Sequence, residues 1–183
     1  MVELLGISGS LRKGSLNTKL LNAAITAAGP GIIFQAGTIE GIPLYNGDLE
    51  AEHGIPAAVQ ALKDQIVKAD GVILFTPEYN NSIPGVFKNA IDWLSRPSAE
   101  IATIFGNRAF AIAGASPGNF GTQLSQNAWL SVLHTLGART WSAKRLMLPH
   151  APEAFDAEGR LVDEAMSKRL AAFVAGFAQF AKA

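Results

Sequence analysis

Cysteine is absent from this 183-residue chain. Its absence removes disulfides, thiol nucleophiles, iron–sulfur clusters and thiolate zinc sites together. Excess charge is missing too. Fifteen Lys and Arg balance fifteen Asp and Glu, so neither nucleic acid nor an anionic membrane surface is indicated as the main partner. No apolar run is long enough for a membrane span, and Glu3 precedes a first run too short for a signal sequence. The expectation is a soluble, cytoplasmic chain. The three histidines, His53, His134 and His150, are scattered without the spacing of a metal site or a triad. Charged residues make up 16% and apolar ones 49%, which argues against disorder and leans toward buried subunit contacts.

The familiar nucleotide loops are also missing. The stretch "GSLRKGSLN" at 9–17 lies between a short apolar run and a leucine-rich helical pattern. Gly9 and Gly14 have Walker A spacing, but Ser15 and Leu16 stand where lysine and a hydroxyl residue are required. That disfavours a nucleoside triphosphate. Positions 6–10 read "GISGS", which is neither G-x-G-x-x-G nor the G-x-S-x-G elbow. What the junction does hold is Ser8, Ser10, Arg12, Ser15 and Asn17. Hydroxyls, one amide and one guanidinium at a helix N-terminus suit a terminal phosphate monoester without a metal. Ordinary N-capping by Ser15 or Asn17, with Arg12 solvated, is the competing explanation.

Strand and helix signals alternate along the whole chain. Val2 to Ser8 reads as a buried strand and Ser15 to Ala28 as a helix ended by "GPG". "IIFQAGT" at 32–38 is a second strand, followed by a long Gly- and Pro-containing loop through 55. Pro56 opens a helix continued by Val59, Leu62 and Ile66. "DGVILFT" at 70–76 has the unbroken apolar character of a parallel strand covered on both faces. After Pro84 comes an amphipathic helix, then a strand at 108–116, a helix near 122–136 and a fifth strand near 139–148. Met166, Leu170, Phe173, Phe177 and Phe180 form the core stripe of a last helix. The pattern predicts one doubly wound α/β domain over 1–183, with a five-stranded parallel sheet in the order 2-1-3-4-5 and helices on both faces. A ligand is expected where the loops after strands one, three and four meet.

The third strand runs into "PEYNNSIPGVFKNAIDWLSRP". Such a loop can offer backbone groups to the polar edge of a planar ring, with Tyr79 as an apolar wall, although Pro, Asn and Ser are turn formers in any case. Together with "GSLRKGSLN", "PLYNGDLE" and "GASPGNFG", this block occurs in the order and spacing of the NAD(P)H-dependent FMN reductase family. The chain resembles these flavodoxin-like proteins, which include bacterial quinone, chromate and azo-dye reductases, over roughly residues 4–137. The resemblance implies that Ser10, Arg12, Ser15 and Asn17 hold the phosphate of FMN. It implies that Pro77, Glu78, Tyr79 and Asn80 border the flavin ring, and that Ser116, Pro117 and Gly118 close its other side. It implies a homodimer or homotetramer, with Trp93 near a subunit contact. Where relatives often carry small residues followed by an arginine and an aromatic, this chain has "NFGTQLSQNAWL".

The chemistry implied is hydride transfer from a nicotinamide, NADH or NADPH, to bound FMN. A second acceptor such as a quinone, free flavin, chromate or an azo compound is then reduced by a ping-pong scheme. The principal rival is a flavodoxin-like one-electron carrier. Such carriers are usually acidic enough to dock on basic partners, and this chain is neutral. A receiver-type sensor domain would need an acidic cluster after the first strand, where "GISGS" stands.

Overall fold

The computed structural model describes residues 1–183. Its elements follow the expected alternation: β1 (Val2–Ser8), α1 (Leu16–Thr26), β2 (Ile32–Gly37), α2 (Gly47–His53), α3 (Ala57–Lys68), β3 (Gly71–Phe75) and α4 (Gly85–Leu94). Then come α5 (Ile101–Ile104), β4 (Ala109–Ala115), α6 (Gln123–Thr135), β5 (Arg139–Thr140), β6 (Leu146–Leu148) and α7 (Glu164–Lys182). The sheet is parallel throughout and ordered β2-β1-β3-β4-β5, as anticipated.

Both faces of the sheet are covered, which is why its strands read as apolar runs rather than as alternations. On one face Leu4, Ile73, Phe75 and Ala111 pack against Leu20 and Leu21 of α1 and Leu170, Phe173 and Phe177 of α7. On the other, Leu5, Ile7, Val72, Leu74 and Phe110 meet α3, α4 and α6 through Leu62, Phe87, Ile91 and Trp129. All strands end on one edge, so the loops after β1, β3 and β4 are brought together there.

Two expectations need revision. The fifth strand is not continuous over 139–148. β5 lies beside Ala109 and Phe110, β6 lies beside Ala113 to Ala115, and residues 141–145 leave the sheet between them. Those residues face only Ala111 and Ile112 on β4, so the surplus chain must loop out. Trp141 turns to pack edge-on against Phe173, with ring centroids 5.1 Å apart.

The supposed loop over 39–55 contains α2, capped by Asn46, whose Oδ1 accepts from the Asp48 N–H (2.9 Å). This segment is pinned to α4 by polar bonds. Asn89 Nδ2 and the Trp93 indole N–H both donate to Pro43 O, at 2.8 and 2.9 Å. Trp93 is 1% exposed and meets the Tyr45 ring edge-on at 5.0 Å. It is a core residue of this chain. Buried helix residues that carry a donor need a partner, and Pro43 supplies it.

Arg96 Nε donates to Glu50 Oε2 (2.8 Å), and the Tyr45 hydroxyl donates to the same oxygen (2.9 Å). Arg96 beside it holds the Glu50 carboxyl below the usual carboxylate range. The folded form therefore binds its proton less readily than the unfolded chain. The resulting stability is present above the ordinary carboxylate pKa and is lost as pH falls through the lowered one. In urea titrations the wild-type midpoint should drop on acidification through that window more than the midpoint of Glu50→Gln. Parallel curves would contradict the assignment.

Candidate functional site

At the carboxyl edge, the first loop leaves β1 through Gly9, whose N–H donates to Phe75 O (2.9 Å). A Cβ on Gly9 would stand 2.1 Å from the Phe87 ring, so only glycine permits this approach. Ser15 is the N-cap of α1, its Oγ accepting from the Thr18 N–H (3.2 Å). Accepting that bond leaves its hydroxyl hydrogen available. Ser8 and Thr18 share a hydroxyl–hydroxyl bond (2.8 Å), and Ser10 Oγ accepts from the Arg12 N–H (3.3 Å).

The Leu16 and Asn17 N–H groups find no acceptor within the chain, and the first turn of α1 carries no acidic side chain. The positive end of the helix is thus uncompensated. Arg12 is exposed and forms no ion pair within the chain. Gly14 and Gly118 both have open space where a Cβ would stand.

Asn17 is placed differently from the hydroxyls. It is 3% exposed, its Nδ2 donates to Ala115 O and its Oδ1 accepts from the Ala115 N–H, both at 2.9 Å. One Nδ2 hydrogen remains uncommitted. Asn17 therefore joins the first loop to the end of β4 as well as bordering the helix N-terminus.

The second loop turns back on itself. Tyr79 and Ser82 exchange N–H···O=C bonds of 3.1 Å across Asn80 (φ 51°) and Asn81 (φ 63°). Two successive left-handed residues make a type I′ turn, which asparagine tolerates well. Tyr79 and Asn80 are exposed on this turn, whereas Pro77 is buried beneath it. The Glu78 carboxylate points to α6: Oε2 accepts from the N–H groups of Leu124 (2.8 Å) and Ser125 (3.0 Å).

Below it, buried Thr76 Oγ1 accepts from the Trp129 indole (2.9 Å) and bonds Ser125 Oγ (2.9 Å). Gln126 Nε2 donates to Leu146 O (3.0 Å) and to Thr122 Oγ1 (3.2 Å). Sequence reading missed this polar network. Its trace was present, since Ser125 and Gln126 interrupt the apolar face of α6 next to Trp129.

The third loop is supported by the chain after β6. Ser116 N donates to Leu148 O (3.0 Å), Ala151 N to Ser116 O (3.0 Å) and His150 N to Gly118 O (3.1 Å). Pro117 and Gly118 are exposed and Ser116 half-buried. The hollow lined by Phe110, Trp141 and Arg145 lies elsewhere. The site is an open shelf with anion donors at one end and exposed apolar side chains at the other.

That combination, on a doubly wound parallel sheet, defines a nucleotide-type binding fold of the flavodoxin kind. The donor set fits a phosphate monoester: free helix N–H groups, hydroxyls and an unpaired guanidinium. Comparison with known proteins extends the assignment. The family model of NADPH-dependent FMN reductase matches residues 2–153. An NAD(P)H-dependent FMN reductase of Pseudomonas aeruginosa is 45% identical over 163 residues, covering 89% of this chain and 86% of that protein. A 2-hydroxy-1,4-benzoquinone reductase of a Burkholderia species is 35% identical over 176 residues, with 96% and 94% covered. A flavoenzyme NAD(P)H:(acceptor) oxidoreductase from Paracoccus denitrificans superimposes with a TM-score of 0.88 at 36% identity, over 100% of this chain and 98% of that one. The chain belongs to the NADPH-dependent FMN reductase family. It is therefore an oxidoreductase with FMN as cofactor and NAD(P)H as co-substrate.

Replacing Asn17 by leucine strands the buried N–H and C=O of Ala115. The variant should lose about 2–5 kcal/mol of stability by urea unfolding. Asn17→Asp keeps an acceptor for the N–H and should fall between the two. Equal stability of all three proteins would refute the brace.

Proposed function

We propose that the chain oxidises NAD(P)H and passes two electrons to a quinone-type acceptor in two half-reactions, as a cytoplasmic homodimer or homotetramer built of single-domain subunits. The observation that carries this reading is the anion-donor loop at one end of the shelf with the exposed Tyr79 turn at the other. They follow the neighbouring parallel strands β1 and β3 on one sheet edge, where a phosphate and a tethered ring could both be reached. FMN held by the first and second loops would supply the redox chemistry, hydride acceptance and onward electron transfer.

The chain's own residues bind and orient. Arg12, Ser10 and Ser15 hold the phosphate, with the free N–H groups of Leu16 and Asn17 completing the set. Asn17 contributes its spare Nδ2 hydrogen while bracing Ala115. Tyr79 and Asn80 border the ring on one side, with Pro77 and Glu78 supporting them from below. Ser116, Pro117 and Gly118 form the other side. No acid–base dyad is needed, and none of these side chains belongs to a cluster of metal-ligating groups. The 2-hydroxy-1,4-benzoquinone reductase and the Paracoccus flavoenzyme support a small-molecule acceptor. Quinones fit the apolar shelf best, and flavin, chromate and azo compounds are secondary candidates.

Two outcomes test the proposal. Anaerobic NADH or NADPH should bleach the FMN-loaded protein rapidly, and initial rates with a quinone should give parallel double-reciprocal lines. Slow bleaching would favour a one-electron carrier instead, and intersecting lines would exclude ping-pong turnover.

Separately, Arg12→Ala removes one charge-assisted contact and should weaken FMN binding about 10- to 100-fold in fluorescence titration. Unchanged affinity would remove Arg12 from the phosphate site.

A further inference from the structure

The start of α6 is not supported by its own residues. Thr122, which precedes the helix, stands in the left-handed region (φ 69°), a costly conformation for a β-branched side chain. Its hydroxyl does not cap the helix but accepts from Gln126 Nε2 (3.2 Å). A Cβ on Gly114 would stand 1.8 Å from Thr122 Oγ1, so β4 itself is shaped to admit this turn. The first turn of α6 holds no acidic residue either. Its orphan N–H groups at Leu124 and Ser125 are satisfied by one oxygen, Glu78 Oε2, from another loop. Strain held by surrounding contacts is characteristic of functional loops.

The neighbours of that bond matter. Glu78 directly precedes Tyr79, which the type I′ turn locks in place. Leu124 lies in the first turn of α6, just after the loop that exposes Phe120. Tyr79, Phe120 and Leu124 are 44%, 69% and 46% exposed, large apolar side chains left bare at the carboxyl edge. The Glu78 bond is the direct tie between the two segments that carry them, and Thr76, Ser125 and Trp129 form a second, buried tie beneath it.

We propose that Glu78 is a positioning residue for acceptor recognition: by capping α6 from the second loop, it holds Phe120 and Leu124 in register with Tyr79 and so sets the slot that receives the acceptor ring. The inference rests on the function proposed above. In this role Glu78 neither carries a proton nor supplies charge to the ring. What matters is the reach of one acceptor oxygen to two N–H groups. The walls it aligns are apolar, which suits uncharged quinones over oxyanions.

The distinguishing experiment compares two conservative variants. Glu78→Gln keeps the chain length and an acceptor oxygen but loses the charge. Glu78→Asp keeps the charge but is one methylene too short to reach both N–H groups. With FMN-loaded protein and 1,4-benzoquinone as the probe, Glu78→Asp should raise the acceptor KM about tenfold, the loss of a bond's worth of positioning. Its kcat should change far less, and Glu78→Gln should recover most of the affinity. Amide hydrogen exchange at Leu124 and Ser125, measured without FMN, should stay slow in Glu78→Gln and become fast in Glu78→Asp.

The reverse order, with aspartate rescuing and glutamine failing, would overturn the proposal in favour of a charge role. Unchanged exchange and unchanged KM in both variants would overturn it outright. If the wild-type protein turned over no quinone, the function proposed above would fail, and the exchange measurement would still decide whether Glu78 caps α6.

Discussion

Asn17 and Ala115 share the bond on which the site depends. Parallel strands all finish on one edge, and the last peptide groups of β4 lie where β3 has stopped pairing. The ladder between them ends with the Thr76 N–H donating to Ala113 O (2.8 Å). One step on, β6 still flanks Ala115 on one side, but its buried N–H and C=O have no β3 partner on the other. A side-chain amide is the group that can donate and accept at once with peptide-like geometry. Asn17 does both at 2.9 Å. Because Asn17 sits in the first turn of α1, meeting this backbone demand also fixes the helix N-terminus against the third loop. The anion donors are thereby set in place before any ligand arrives, which lowers the ordering cost of binding.

A second set of ties works from the opposite face of the sheet. Trp129 bonds Thr76 at the end of β3 and packs edge-on against Phe87, with centroids 5.0 Å apart. Phe87 in turn fills the space a side chain on Gly9 would need. One aromatic pair therefore supports the first and second loops together, while Glu78 and Ser125 extend the support to the segment after the third. The shifted ionisations lie at ion pairs such as Glu50 with Arg96 and Asp156 with Arg160, or at half-buried Arg108.

The sheet and its order were legible in the sequence because strands buried on both faces must be apolar throughout, and "DGVILFT" and "RAFAIAGAS" are. The helix start with its hydroxyls and guanidinium was legible because those residues are local in sequence. The break after Thr140 was not, since it arises from a length mismatch with β4, a relation between distant segments. Helix α2 escaped because none of its residues is buried, so no apolar face announced it. The inward turn of Asn17 and the reach of Glu78 were hidden for the same reason. Asparagine at a helix start reads as a cap and glutamate in a turn reads as solvated, unless the orphan groups 98 and 46 residues away are known.

The shelf's composition bears on selectivity. A site that recognises its ligand through hydrogen bonds rejects analogues lacking them by large factors, because its own buried polar groups would be left unpaired. Here several polar groups of the second and third loops are already spent on each other: Glu78 on α6, Thr76 on Trp129, and the Ser116 backbone on the chain after β6. Facing outward are the apolar side chains of Tyr79, Phe120 and Leu124, beside the amides of Asn80 and Asn81. Apolar walls discriminate by about 1–3 kcal/mol per methylene-sized difference, so they favour flat apolar rings as a class and separate members of that class weakly. On the function proposed above, breadth toward acceptors follows from the apolar walls, and strictness toward a phosphate from the free N–H groups and unpaired guanidinium concentrated at the first loop.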